Sequence, residues 1–279
     1  KVRLNLENKK MARMMMANEV TEKEGFAIAP SSIFYKSWKI LALLFAIYSG
    51  ISVPKDIAFS ATHDAQLLPD ADANMELFYI IIEISFILFF IVDILLHLFV
   101  FMCKYEGRLI SERREFRQIY VRRKLAIDLL STLPISIMFH RVSAEGSLSF
   151  TYSLLRLFQL TRVARIGDYF QTFVSVAEEM LNLRITSTGV RRLIDWIPLT
   201  LLFNHWVACM FYLISQLNEG ESWVTQWMIE CKQQKVALSG FQCTSYDVYL
   251  RAFYWALYTL TTTGYGQVII VSNEERIFA

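Results

Sequence analysis

Glycine and proline are scarce in this chain, ten and five in 279 residues, and only four residues are cysteine. The first shortage excludes a collagen-like or low-complexity chain and the second a small disulfide-stapled domain, since those classes need far more of each. Charged residues are held to 19%, and the formal net charge is only +2. So small a surplus, without basic and aromatic residues interleaved for base stacking, argues against a nucleic-acid partner. No signal-peptide layout, internal repeat or Gly-rich phosphate loop is present, and the chain opens Lys1-Val2-Arg3 without Met, as expected of a trimmed end. What fills the space is apolar: 54% hydrophobic and 14% aromatic residues, with a mean hydropathy of +0.35. A water-soluble chain of that composition could not cover its surface, so the expected solvent is a lipid bilayer.

Apolar runs long enough to cross a bilayer, about 20 residues, fall near 38–59, 77–102, 125–140, 148–167 and 193–217. A sixth stretch from Tyr246 begins with helical spacing and ends in a Thr/Gly/Tyr string poorly suited to a helix. Irregular backbone at membrane depth is tolerated only when it is buried in protein or lines a wet cavity. The expected fold is therefore all-α and polytopic. Basic residues crowd the 103–124 loop (Lys104, Arg108, Arg113, Arg114, Arg117, Arg122, Arg123, Lys124), whereas Asp56, Asp64, Asp70, Asp72 and Glu76 dominate the preceding one. The positive-inside bias then places the N-terminus and the 103–124 loop in the cytoplasm and residues 218–245 outside.

Within the fourth run, Arg156, Gln159, Arg162 and Arg165 recur every third residue. On an α-helix each step advances about 4.5 Å and 300°, a shallow spiral on one side. An Arg at the bilayer centre costs at least about 2.5–3.5 kcal/mol, so these residues need partners. Glu83 and Asp93 interrupt the second run and Asp128 the third. The expectation is a voltage sensor in which arginines step past acids, one full charge gaining about 2.3 kcal/mol per 100 mV. Phe90, one turn before Asp93, is expected to narrow the transfer point. Gln159 removes one charge from the ladder and should weaken voltage coupling. His97 is expected to be structural or interfacial. The bland alternative, a basic amphipathic helix on the membrane surface, would leave three intramembrane acids without partners.

Thr262-Thr263-Gly264-Tyr265-Gly266 is the most specific string. Backbone carbonyls that replace an ion's hydration shell must all point inward, and glycines let alternate residues take the left-handed conformation this requires. A preceding helix, about Asp247 to Leu260, would direct its negative end toward the pore axis. One strand cannot surround an ion, so four copies are expected.

With these pieces in place the sequence resembles the voltage-gated-like channel superfamily, in its cyclic-nucleotide-binding-domain branch of cyclic nucleotide-gated, pacemaker-type, ether-à-go-go and plant inward-rectifier channels. The resemblance rests on Pro30-Ser31 ahead of Trp38, FIVDILLHLFV, IDLLSTLP, RVARIGDYF, NHWVACMFYLIS from Asn204 to Ser215, and the filter string. It implies an N-terminal cytoplasmic segment (1–36), a four-helix voltage sensor (37–167), a linker (168–192) and a pore domain (193–279) with fifth span, turret, pore helix, filter and the start of an inner helix. It implies that Arg156, Arg162 and Arg165 carry gating charge and that Phe90, Asp93 and Asp128 form the transfer site, joined by Glu83 as a further acidic partner. Potassium would bind at the carbonyls of Thr262, Thr263, Gly264 and Tyr265 together with the Thr262 hydroxyl. The implied molecule is a homotetrameric potassium channel of the plasma membrane, in contact with lipid, with no covalent cofactor. Cyclic-nucleotide modulation is implied through a domain expected beyond Ala279.

Gln267 stands where potassium-selective relatives carry Asp, which removes a charge and a hydrogen-bond partner behind the filter. A weakly selective cation pore is therefore the alternative within the class. Outside it, the alternatives are an enzyme regulated by a voltage sensor or a sensor-only proton pathway, against which the 246–268 segment argues. Cys231 and Cys243 fall in the expected outer turret, where a disulfide is permitted but not required by their spacing. Cys103 and Cys209 read as packing residues.

Overall fold

The computed structural model describes residues 28, 32–60, 73–101, 104–105, 108–109, 117–118, 120–132, 156–183, 185–218, 220–237 and 244–279. The expected 133–140, 148–155 and most of 1–36 lie outside these residues. Among them the chain is helical: α1 (Ile33–Ser60), α2 (Ala73–Phe99), α3 (Ala126–Ser131), α4 (Ile166–Met180), α5 (Thr188–Leu217), α6 (Trp223–Ala237), α7 (Ser245–Leu260) and α8 (Asn273–Phe278). A π-helical turn, Val121–Leu125, leads into α3, and a 3-10 helix, Arg156–Arg165, leads into α4. Extended pairing is limited, among the described residues, to Lys104–Tyr105 against Arg108–Leu109 and an isolated bridge from Ile28 to Phe101. Ile33–Phe59, Ile81–Phe99 and Thr188–Leu217 are long and apolar enough to cross a membrane. Their exposed Leu, Ile and Phe side chains, such as Leu44, Leu88 and Phe203, are what a helix facing hydrocarbon carries. The architecture is an all-α, polytopic one.

The chain divides into two compact units. The first takes the described parts of 1–47, 83–133 and 161–186. Aromatic packing joins its α1 and α2 segments: Trp38 stacks on Phe89 at 4.5 Å, and Phe45 meets Phe86 and Phe89, each at 4.5 Å. Lys36 Nζ reaches Glu179 of α4 at 2.6 Å.

The second unit takes the described parts of 48–82, 134–160 and 187–279. Its core is an aromatic stack centred on Phe211 of α5, with Trp255 of α7 at 3.7 Å and Trp223 of α6 at 5.0 Å, the Phe211 ring nearly parallel to both. Asn204 Nδ2 donates to the Phe253 carbonyl at 3.3 Å and ties α5 to α7 by a polar contact.

Pro54 lies inside α1. It has no N–H to offer the Gly50 carbonyl four residues earlier, and its ring crowds that turn. The deficit is met from α5: Trp206 Nε1 donates to Gly50 O at 2.8 Å, and His205 Nε2 donates to Ile51 O at 2.9 Å. With Nε2 committed as donor, His205 Nδ1 accepts from the Tyr249 hydroxyl at 2.8 Å. The His205-Trp206 pair thus repairs a helix break on its neighbour, and Tyr249 of α7 holds the imidazole in place.

Removing the indole donor should therefore leave a buried carbonyl unsatisfied. Trp206→Phe is expected to lower stability by about 1–3 kcal/mol, read as a fall in the melting temperature of the purified protein in detergent. In a Pro54→Ala background, where residue 54 regains its N–H, the same substitution should cost distinctly less; equal costs in both backgrounds would refute the repair.

Candidate functional site

The arginine ladder sits on a 3-10 helix, not on the α-helix that the sequence reading assumes. With three residues per turn and about 2.0 Å rise per residue, rungs three apart eclipse one another and stand about 6 Å apart in a straight row. The spiral expected from α geometry is corrected to a row. The physical gain is that every rung meets the same partners, where an α-helix would turn each by 60° away from them. Gln159 and Arg162 are buried on this row. Arg156 opens the helix, and its side chain lies outside the described residues.

In the first unit Arg165 meets two acids. Its Nη2 donates to Asp128 Oδ2 and its Nη1 lies 3.5 Å from Asp93 Oδ2, with the Tyr169 hydroxyl also at 3.5 Å. Arg162, one rung along, places its guanidinium carbon 4.3 Å from the Phe90 ring centroid, the geometry of a cation–π contact. Its Nη2 donates to the Ser131 carbonyl in the last turn of α3, where helical donors run out. Among the described residues Arg162 Nε has no hydrogen-bond partner, and Arg162 lines a small cavity with Phe90, Asp93, Asp128, Thr132, Arg165 and Tyr169. Glu83 is close enough to act electrostatically on Arg162.

The acids are themselves positioned. Trp38 Nε1 donates to Asp93 Oδ1 at 2.7 Å. The Tyr120 hydroxyl donates to Asp128 Oδ2, although the two residues are eight apart. On a plain α-helix residues seven apart share a face; the π turn between them takes up one extra residue and restores the match. Sequence spacing singled out Asp93, Asp128, Phe90, Arg162 and Arg165, and the structure brings these five together. It also adds Trp38, Lys39, His97 and Tyr120, which are conspicuous only once α1 and the π turn are seen against Asp93 and Asp128.

A second constellation lies in the second unit. Helix α7 starts at Ser245, two residues before the expected Asp247, because a capping box forms: Asp247 N donates to Thr244 Oγ1 at 3.4 Å, and Thr244 N donates to Asp247 Oδ2 at 3.0 Å. Beyond Leu260 the backbone is irregular. Thr262, Gly264 and Gly266 have φ of +58°, +61° and +68°, so every second residue of this string is left-handed. Glycine takes that conformation at little cost, but a β-branched Thr does so only when held. Thr262 N donates to Thr259 O at 3.0 Å, and Thr263 N and Gly264 N both donate to Tyr258 O, at 2.9 and 3.2 Å.

Two residues of this region have no counterpart in the sequence reading. Tyr258 spans the string: its carbonyl holds Thr263 and Gly264, its ring packs edge-on against Tyr265 at 5.9 Å, and its hydroxyl accepts from Val268 N at 3.4 Å. A tyrosine hydroxyl thereby supplies a hydrogen bond behind the string, next to Gln267. Glu275 is fully buried (0% exposed). Its Oε2 accepts from Val271 N and Ser272 N at 3.1 and 3.2 Å, and its Oε1 accepts from Trp223 N at 3.1 Å. One carboxylate therefore satisfies the start of α8 and the start of α6. Cys231 of α6 is disulfide-bonded; Cys103 and Cys243 both lie outside the described residues. Cys209 is a free, buried thiol in α5.

The Arg165–Asp128 pair should behave as a buried pair does. Arg165→Gln and Asp128→Asn are each expected to destabilise by about 3–5 kcal/mol, since each strands a charge, while the double substitution recovers a large part of the loss. Thermal unfolding of the four proteins measures the coupling; strict additivity would show that the two side chains do not interact.

The ion transport protein family matches residues 35–279. The chain is 26% identical over 260 residues to "Potassium channel AKT2/3" of Arabidopsis thaliana, covering 91% of this chain and 29% of that protein. It is 25% identical over 264 residues to "Potassium channel KAT1" of Oryza sativa subsp. japonica, covering 94% and 33%. To "Voltage-gated delayed rectifier potassium channel KCNH1" of Rattus norvegicus it is 22% identical over 265 residues, covering 88% and 25%. The chain thus spans about a third or less of the length of these curated relatives. An apolar all-α chain, with paired arginines and acids in one unit and a left-handed Thr/Gly/Tyr string in the other, belongs to the ion transport protein family.

Proposed function

We propose that this chain is the sensor and pore portion of a voltage-gated potassium channel, assembled from four subunits in the plasma membrane with a cytoplasmic N-terminus. The observation that carries the reading is the alternation of left-handed backbone at Thr262, Gly264 and Gly266, directly after a capped 16-residue helix. Alternating conformations let successive carbonyls face one direction, which is what coordination of a dehydrated cation demands. Thr262, Thr263, Gly264 and Tyr265 would supply the oxygens, and Gly266 the last turn. Tyr265, 63% exposed in the single chain, is available to pack against a neighbouring copy.

Arg162 and Arg165, with Arg156 as the outermost rung, would carry gating charge. Phe90, Asp93 and Asp128 form the point past which they step, and Glu83 serves as the outer partner. The proposed division is a sensor over 37–167, a linker over 168–192 and a pore domain over 193–279. Relatives whose names describe them as potassium channels support the permeant ion. Cyclic-nucleotide modulation rests on the family resemblance alone.

Gln267 favours a second reading, a weakly selective cation pore. Bi-ionic reversal potentials of the full-length channel separate the two. A shift close to the potassium equilibrium potential as external sodium replaces potassium supports selectivity, and a reversal near zero with equal permeabilities would reject it. For the turret, we infer a Cys231–Cys243 disulfide. Non-reducing peptide mapping is expected to recover the two cysteine peptides linked; a Cys231–Cys103 peptide would contradict it.

A further inference from the structure

The first unit holds a cation that the arginine ladder does not account for. Lys39 of α1 is buried, 6% exposed, although it sits on an apolar helix with solvent-facing positions available to a long side chain. Its Nζ lies 2.8 Å from His97 Nε2. An ammonium group can only donate, so Nε2 is the accepting nitrogen and the ring proton is on Nδ1. That nitrogen is 2.7 Å from the Asp93 carbonyl and 3.3 Å from Asp93 Oδ1. Lys39, His97 and Asp93 therefore form one directed hydrogen-bond chain, and the ammonium also rests 4.7 Å from the Tyr169 ring centroid. Asp93 Oδ1 is shared by Trp38 and His97, while Oδ2 faces Arg165.

We propose that Lys39 is a positioning residue of the voltage sensor: a stationary charge that, through His97, offsets part of Asp93 and sets how strongly Asp93 holds an arginine rung. This rests on the sensor reading above. Lys39 belongs to α1 and lies against His97 and the Tyr35 and Tyr169 rings, so it does not travel with the ladder. Its positive field acts on the same carboxylate as Arg165 and repels that guanidinium. Arg165, the rung that stands at Asp93 in this arrangement, is consequently held less tightly than by an unopposed acid, and the arrangement is less favoured. Arg165 is the last of the three arginines, so the arrangement described is the one in which the ladder has advanced fully outward.

Neutralising Lys39 should then stabilise this outward arrangement. Lys39→Gln is the informative variant because its amide can still donate to His97 Nε2 while the charge is gone. In gating-charge measurements on the full-length channel, the midpoint is expected to move to more negative potentials. The shift corresponds to a change on the order of tenfold in the equilibrium between sensor positions, with the steepness unchanged. Lys39→Arg, which keeps the charge, should return the midpoint to that of the unsubstituted channel. His97→Phe, which keeps the ring shape but cuts the chain to Asp93, should shift it in the same direction by a smaller amount, and it carries the test should Lys39→Gln fail to reach the membrane. An unmoved midpoint, a shift to positive potentials, or a loss of steepness, which would mean that Lys39 itself moves in the field, overturns the inference. Absence of any voltage-dependent charge movement in the unsubstituted channel overturns the sensor reading instead.

Discussion

A guanidinium group inside hydrocarbon must be met by an acid, an aromatic face or a carbonyl, and most of the first unit follows from that requirement. Arg165 is met by Asp93 and Asp128, and Arg162 by Phe90 and the Ser131 carbonyl. The partners come from α2 and α3, whereas the arginines come from a 3-10 helix whose three-residue turn places successive rungs before one set of partners. The acids in turn are held by hydrogen bonds from Trp38 and Tyr120. Such preorganisation suits a site that exchanges one cation for another, since little beyond the ladder has to move.

The second unit answers a different demand, that of the backbone. Pro54 withholds an N–H, and α5 supplies replacement donors through His205 and Trp206. The string after α7 leaves the helical path, and its amides are taken up by the Thr259 and Tyr258 carbonyls and the Tyr258 hydroxyl. Glu275 collects three amides from the starts of two helices. In a medium without water each unmatched group costs several kcal/mol, which explains why irregular backbone here is accompanied by side chains devoted to it.

Charges inside apolar runs were legible in the sequence because they violate the composition around them. That is why Arg162, Arg165, Asp93 and Asp128 could be named from spacing alone, with Phe90 beside them. The Thr-Thr-Gly-Tyr-Gly string was legible because two glycines so close together have few other uses. Lys39 was not, since a lysine near the start of an apolar run ordinarily extends to the membrane surface, and nothing in its neighbours shows that it turns inward to His97. Tyr258 and Glu275 escaped for a related reason: both answer the needs of backbone amides, which all residues share and which no residue type announces. The three-residue spacing of the arginines is visible in the sequence, but spacing alone is equally compatible with an α-helix. The 3-10 turn that makes it a straight row is a response to the partners, which a linear sequence does not place.

As the proposed sensor, the arginine row would change its partners as the potential changes. State-dependent modification of Arg156→Cys, the outermost rung, by a charged, membrane-impermeant thiol reagent applied outside the full-length channel tests it most directly, with the other free cysteines replaced. Position 156 is expected to react at depolarised potentials and to be protected at hyperpolarised ones. A rate indifferent to voltage would contradict it.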